Sequence, residues 1–251
     1  MAYVWLFILF VVFSGSQWAQ TQHSDPAKFP YPEKASYRIE WRLMAAGTAT
    51  LQLSHGDKQN WKLQLDLASA GFVDRLYQIS DSYKLTTNDR FCGVSSLLEG
   101  HEGKRRFATH MDFDNARHKL FLVENDLVKN TTAKAETDIA PCTYEVMGAL
   151  STLRALKPEP GNSLSLTLTN GRKLVEAKVE AQARETLHLN GKNYSTIKYE
   201  ALVFNNVVYR RKGRLFMWIT DDADRVPVQF RLQMGFPVGA ITLELEKHER
   251  L

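Results

Sequence analysis

Chemistry-bearing motifs are scarce in this chain. It has two cysteines in 251 residues, Cys92 and Cys142, and no C-x-x-C pair, which argues against a dithiol redox enzyme. No G-x-S-x-G nucleophile elbow occurs. His101-Glu102 lacks the second histidine of H-E-x-x-H. Ser195-Thr196-Ile197-Lys198 has the letters of S-x-x-K, but in a strand positions i and i+3 face opposite ways, so serine and lysine cannot cooperate there. Positive charge before the first apolar run is also absent. That run, Val4–Phe13, is ten residues long, too short for a bilayer core that needs about 20. With Ser14, Gly15, Ser16 and Gln17 behind it, the run reads as the core of a secretory signal over 1–19. Cleavage is expected after Ala19, with Ser16 as the other small-residue site. A retained N-terminal anchor is the alternative, and no nearby cysteine offers a lipid attachment site.

What remains is of ordinary globular composition, 24% charged and 44% apolar, enough for one sizeable domain. The net charge of +4 suits anionic envelope partners such as lipid head groups or acidic glycans, although solubility alone accounts for it. The basic clusters Lys104-Arg105-Arg106 and Arg210-Arg211-Lys212 are not interleaved with stacking aromatics, which argues against nucleic acid. In an exported chain, an even cysteine count invites a Cys92–Cys142 bridge, the alternative being two buried thiols.

Residues 20–34 are polar, hold three prolines and read as an exposed flexible leader to a domain over 35–251. From there alternation takes over. Tyr37, Ile39, Trp41 and Leu43 face one way and Arg38, Glu40 and Arg42 the other, the pattern of a half-buried strand. The pattern returns along much of the chain, with Gly56-Asp57, Asn170-Gly171 and Asn190-Gly191 as turns. Asn125 to Pro141 reads as a long polar loop. One helix is predicted over 143–156, from Val146, Ala149, Leu150, Leu153 and Leu156 at helical spacing. Thr143 would cap it, Glu145 would favour its positive end, and Pro158 and Pro160 would end it. The predicted fold is mainly β: a single curved antiparallel sheet, either a partly closed barrel or a two-layer sandwich, with one packed helix.

In the strand at 215–220, Phe216 and Trp218 point one way and Leu215, Met217 and Ile219 the other, so both faces must be covered. The helix can cover one face; a sheet closing on itself, or an apolar ligand cavity, the other. Trp218 and Phe216, with Arg211 and Lys212 as a basic rim, are therefore the candidate ligand-binding residues. The acidic turn Asp221, Asp222, Asp224 lacks the further ligands, glycine and terminal Glu of a calcium loop. It reads as a structural motif with Arg225 and Pro227, its carboxylates bonding backbone amides, and an Asp222–Arg225 ion pair is expected. With His101 at a hairpin tip and His110 nine residues down the strand, the two are expected ~30 Å apart and unable to share a metal. His110, Asp112 and Asp114 read as one solvated face. No metal, cofactor or catalytic set is assigned.

Three ordered blocks resemble a bacterial exported family catalogued as domain of unknown function 3108. They are Pro141-Cys142 leading to Ala149-Leu150 and Leu153-Arg154; Gly191-x-x-Tyr194-x-Thr196-Ile197; and Arg211-Lys212-Gly213-Arg214-Leu215-Phe216-Met217-Trp218 running into Asp221-Asp222 and Arg225-Val226-Pro227-Val228. An early Gly47-x-Ala49-x-Leu51 fits as well. The resemblance spans about residues 35–248 and implies an exported, β-rich domain, periplasmic or extracellular, with no reaction attached. Where relatives often carry a His-Asp pair after the cysteine, this chain has Thr143-Tyr144-Glu145. The sequence favours a non-catalytic envelope protein that binds an amphipathic or anionic component or assists assembly. A third reading is a purely interacting protein whose surface strands pair with a partner. The enzymatic alternative is a hydrolase or lyase acting on glycan or lipid, with Glu99 or Asp112 paired to His110 by the fold.

Overall fold

The computed structural model describes residues 29–201, 213–235 and 239–251. The expected signal at 1–19 lies outside these, as does residue 20–28 of the expected leader.

Among the described residues, fourteen strands form one antiparallel sheet. The first eight are β1 (Glu33–Trp41), β2 (Met44–His55), β3 (Trp61–Ser69), β4 (Ile79–Thr87), β5 (Gly93–Glu102), β6 (Arg105–Asp114), β7 (Lys119–Asp126) and β8 (Thr131–Asp138). The rest are β9 (Ser163–Thr169), β10 (Leu174–Leu189), β11 (Lys192–Ala201), β12 (Gly213–Thr220), β13 (Pro227–Met234) and β14 (Ala240–Arg250). Helix α1 (Gly71–Leu76) joins β3 to β4, and α2 (Val146–Leu156) follows β8. The spatial order runs β8 to β1, then β14 back to β9, so every ladder joins sequence neighbours except the one between β1 and β14. The β1–β14 ladder joins the two halves, with Tyr37 opposite Leu245 and Ile39 opposite Leu243.

The edges β8 and β9 do not pair, yet the sheet curls far enough to bring them close. Thr137 of β8 donates a 2.9 Å hydrogen bond to the Gly171 carbonyl beyond β9, and Tyr144 bridges Leu168. This is the partly closed barrel of the two predicted architectures. A Cβ on Gly171 would lie 2.7 Å from the Met111 sulfur and 2.9 Å from Leu122, so the Asn170-Gly171 turn seats against β6 and β7 only because it carries no side chain.

Helix α2 packs inside the curl. Leu153 of α2 clusters with Leu168, Val179, Ile197, Tyr199 and Met217, and Met147 with Leu63, Leu85 and Phe91. A Cβ on Gly148 would meet the Phe91 carbonyl oxygen at 2.5 Å, so the helix can approach that loop only with glycine there. The neighbouring cysteines are joined: Cys92 and Cys142 form a disulfide across 50 residues. In the chain-entropy picture, closing that loop is worth ~4 kcal/mol.

Several expectations change. Thr143 does not cap α2; its hydroxyl donates to the Ala140 carbonyl, and the capping position belongs to Glu145 without a side-chain cap bond. The segment read as a polar loop contains β8, a largely solvated edge strand that sets only Ala135 against the buried cluster of Met111, Leu120 and Leu122. Helix α1 is additional to the one predicted. In the described part of the expected leader Phe29 and Tyr31 are buried and β1 begins at Glu33: Phe29 stacks on Phe91 under the Arg154 cation, and Tyr31 meets Phe29 edge-on under that of Arg250.

Candidate functional site

Alternation along β1, β3, β12, β13 and β14 turns a row of large apolar side chains toward the concave side. The curvature leaves room between them. One cavity, of about 610 Å³, is lined by Ile39 and Trp41 of β1, Ala46 of β2, Leu65 and Leu67 of β3, Ile241 and Leu243 of β14, and Val73, Leu76 and Tyr77 in and just after α1. A second, of about 240 Å³, lies under α2 between Ala149, Leu150, Leu153, Val179, Leu215, Met217 and Phe230. Phe230 of the second stands directly opposite Leu243 of the first across the β13–β14 ladder, so the two share a partition. The larger volume is in the usual range of small-molecule sites, ~300–1,000 Å³. Among the described residues, no acidic or basic side chain lines either cavity.

The residues singled out beforehand occupy other places. Trp218 is 7% exposed and packs with Leu189, Val226 and Val228, and its indole N–H donates to the Glu185 carboxylate. Lys198 stands over the rings of both Phe216 and Trp218, at 5.1 and 5.2 Å, and Arg214 over Phe216 at 4.8 Å. This aromatic pair is filled surface on the face away from Met217; the cavity walls are its neighbours Leu215 and Met217. Arg211 and Lys212 lie outside the described residues.

The acidic turn does bond backbone amides. Asp222 Oδ1 accepts from the Asp224 and Arg225 amides at 3.0 and 2.9 Å and from the Thr220 hydroxyl at 2.7 Å. The expected Asp222–Arg225 ion pair does not form. The Arg225 guanidinium instead donates to the Arg154 and Ala155 carbonyls at the end of α2. Arg154 answers by donating to the Arg225 and Asp224 carbonyls and to both oxygens of Glu33, whose carboxylate His248 also contacts at 2.8 Å. Burial alone would push the Glu33 carboxyl up. The hydrogen bonds and charges of His248 and Arg154 outweigh it and hold the carboxyl below its usual range. Asp221 takes Lys157 and Arg184, and Asp224 takes Arg250. With Pro227 opening β13, this turn ties α2, β1 and β14 together.

His110 and Asp112 do meet, at 2.9 Å, but both are largely exposed on one face of β6. Glu99 pairs instead with Lys84. Among the described residues, no three of His, Cys, Asp and Glu gather as metal ligands. A group that sequence reading missed is Glu145. It is 3% exposed, one carboxylate oxygen has no hydrogen-bond partner, and burial pushes its pKa to about 8. It borders a mixed pocket of about 720 Å³ that also includes Arg105, Arg106 and Asn125. Its position ahead of the helix was legible; that the sheet would bury it was not.

The model of the family described as "Protein of unknown function (DUF3108)" matches residues 36–246. A solved β-barrel-like protein of domain of unknown function DUF1849 from Brucella abortus is similar in fold, with a TM-score of 0.58 at 7% identity, over 88% of this chain and 98% of that one. A Bacteroides fragilis protein with a YmcC-like fold aligns over 89% of this chain and 98% of its own at 9% identity, with a TM-score of 0.35. No curated protein matches.

Proposed function

We propose, for a chain that belongs to the DUF3108 family, that it is an exported envelope protein which binds an amphipathic molecule without transforming it, holding the apolar part in the concavity of its curled sheet. The observation that carries this reading is the cavity of about 610 Å³, walled by aliphatic and aromatic side chains and continued under α2 by the second. A void of that size with apolar walls is a poor site for water, because its lining offers few hydrogen-bond partners. Filling it with an acyl chain recovers ~0.8 kcal/mol for each methylene taken from water.

Export is supported by two independent features. The apolar run Val4–Phe13 has the length of a signal core. The Cys92–Cys142 bridge is of a kind that persists in oxidising compartments. Among the described residues no helix is long and apolar enough to cross a membrane. The periplasm is the compartment proposed.

The test is native mass spectrometry on protein prepared from its own envelope without detergent. The expected result is a recurrent adduct of lipid mass, released by organic solvent. Protein that emerges at its polypeptide mass, and that quenches no added fluorescent fatty acid, would refute the reading.

A further inference from the structure

The mouth of the larger cavity is itself apolar and stands in water. Leu76 and Tyr77 line the cavity yet are 63% and 46% exposed, and Phe72 on the same short helix is 56% exposed. The β1–β2 hairpin lies beside them, since the Ala70 amide at the start of α1 donates to the Ala46 carbonyl at 2.8 Å. Its tip carries Met44 at 44% and Leu43 at 93% exposure. That tip is built against local preference. Arg42 and Leu43 occupy left-handed backbone, φ 51° and 66°, in a two-residue turn where Asn-Gly is the favoured pair. A leucine there bears both backbone strain and nearly full hydration, and neither helps the fold.

Basic residues flank this apolar edge. Arg75 lies on α1 between Phe72 and Leu76. The Gly103 amide donates to the Gln78 carbonyl at 2.7 Å, which sets the β5–β6 tip, with exposed Lys104, against Tyr77. The nearby carboxylates are engaged: Asp74 accepts from the Ser69 hydroxyl at 2.6 Å, and Glu102 pairs with Arg105 at 3.2 Å. Exposed apolar groups with Arg75 and Lys104 beside them match an anionic lipid surface, where the apolar groups enter the acyl boundary and the cations meet head groups.

We infer that this edge, formed by the β1–β2 tip, α1 and the β5–β6 tip, docks the protein on an anionic lipid bilayer with the cavity mouth facing the membrane. This rests on the amphiphile-binding reading for its purpose, though not for its test. The processed chain, residues 20–251, would be sedimented with vesicles of phosphatidylcholine alone and of phosphatidylcholine with a quarter phosphatidylglycerol. Binding is expected to the anionic vesicles and to weaken as salt rises. Leu43→Asn relieves the turn, so it folds at least as well; it should lower vesicle affinity by about tenfold, the worth of one large apolar side chain. Lys104→Glu should weaken binding to anionic vesicles alone. No binding, equal binding to neutral vesicles, or an unchanged Leu43→Asn would overturn the inference. So would a dimer in solution that Leu43→Asn dissolves without any vesicle binding, since a second copy would then be the occupant. Fatty-acid binding in solution that survives a failed vesicle assay would leave the amphiphile reading standing and remove only the docking.

Discussion

Arg154→Met should be among the most damaging single changes outside the sheet core. Arg154 is 2% exposed and meets Glu33, itself 4% exposed, through both guanidinium nitrogens. It also donates to the Asp224 and Arg225 carbonyls and lies 3.9 Å above the Phe29 ring. Methionine keeps much of the stem volume and removes every donor. Glu33 is then left buried with His248 as its remaining side-chain partner. Breaking a buried ion pair from one side costs about 3–5 kcal/mol, a large share of the ~5–15 kcal/mol that holds a domain. Replacing both partners, Glu33→Gln with Arg154→Met, removes the stranded charge. The double variant should therefore cost at least ~1.5 kcal/mol less than the sum of the singles. Urea unfolding at pH 7, with the disulfide intact, gives the cycle. A loss below ~1 kcal/mol for Arg154→Met, or strict additivity, would refute the claim that this network holds α2 to β1 and β14.

Other outcomes follow from the same contacts. Glu33 has a lowered carboxyl pKa, so its stabilisation is present above the unfolded value near 4.5 and is lost as pH falls through the folded one; acid unfolding of Glu33→Gln should be correspondingly flatter below pH 4.5. Glu145 acts in the opposite sense, since its pKa is raised to about 8: stability declines between about pH 4.5 and 8 as the buried carboxyl resists ionisation. Glu145→Gln should leave melting at pH 5 nearly unchanged and raise it at pH 8, and a loss at pH 8 would contradict this. Removing both cysteines should cost ~4 kcal/mol by chemical unfolding, because the bridge closes a 50-residue loop. Gly148→Ala places a methyl 2.5 Å from a backbone oxygen and should destabilise by about 1–3 kcal/mol, where a solvent-facing helical glycine would gain from the same change.

Much of this architecture could be read in advance, because strand alternation and a helical stripe are local patterns. Tyr37, Ile39, Met217 and Leu153 announce their faces from spacing alone. The Gly47-x-Ala49 signature acquires its reason in the sheet, where a Cβ on Gly47 would lie 2.2 Å from the Ala68 carbonyl oxygen. What escaped is what distance in the chain hides. Glu33 meets Arg154 across 121 residues and His248 across 215, and no local pattern encodes either contact. The Asp222–Arg225 pairing failed for a related reason: sequence proximity suggested an ion pair, while the carboxylate was satisfied by amides and the guanidinium by the end of a helix. β8 escaped because a polar edge strand has the composition of a loop. Phe216 and Trp218, the expected ligand-binding pair, stand on one face of β12, and the cavity under α2 is lined from its other face by Leu215 and Met217. Both faces of β12 are apolar, and only the direction of curl tells which is concave.

The central claim is that the concavity holds an apolar chain, and a cavity-blocked variant tests it most directly. Leu67→Trp with Ile241→Trp narrows the space of about 610 Å³ from β3 and β14 without touching the α2 junction or the disulfide. Fluorescent fatty-acid titration of both proteins, each verified as folded by near-ultraviolet circular dichroism, should give saturable binding to the native chain and at least a tenfold loss in the blocked one. Equal binding by the two would contradict the account.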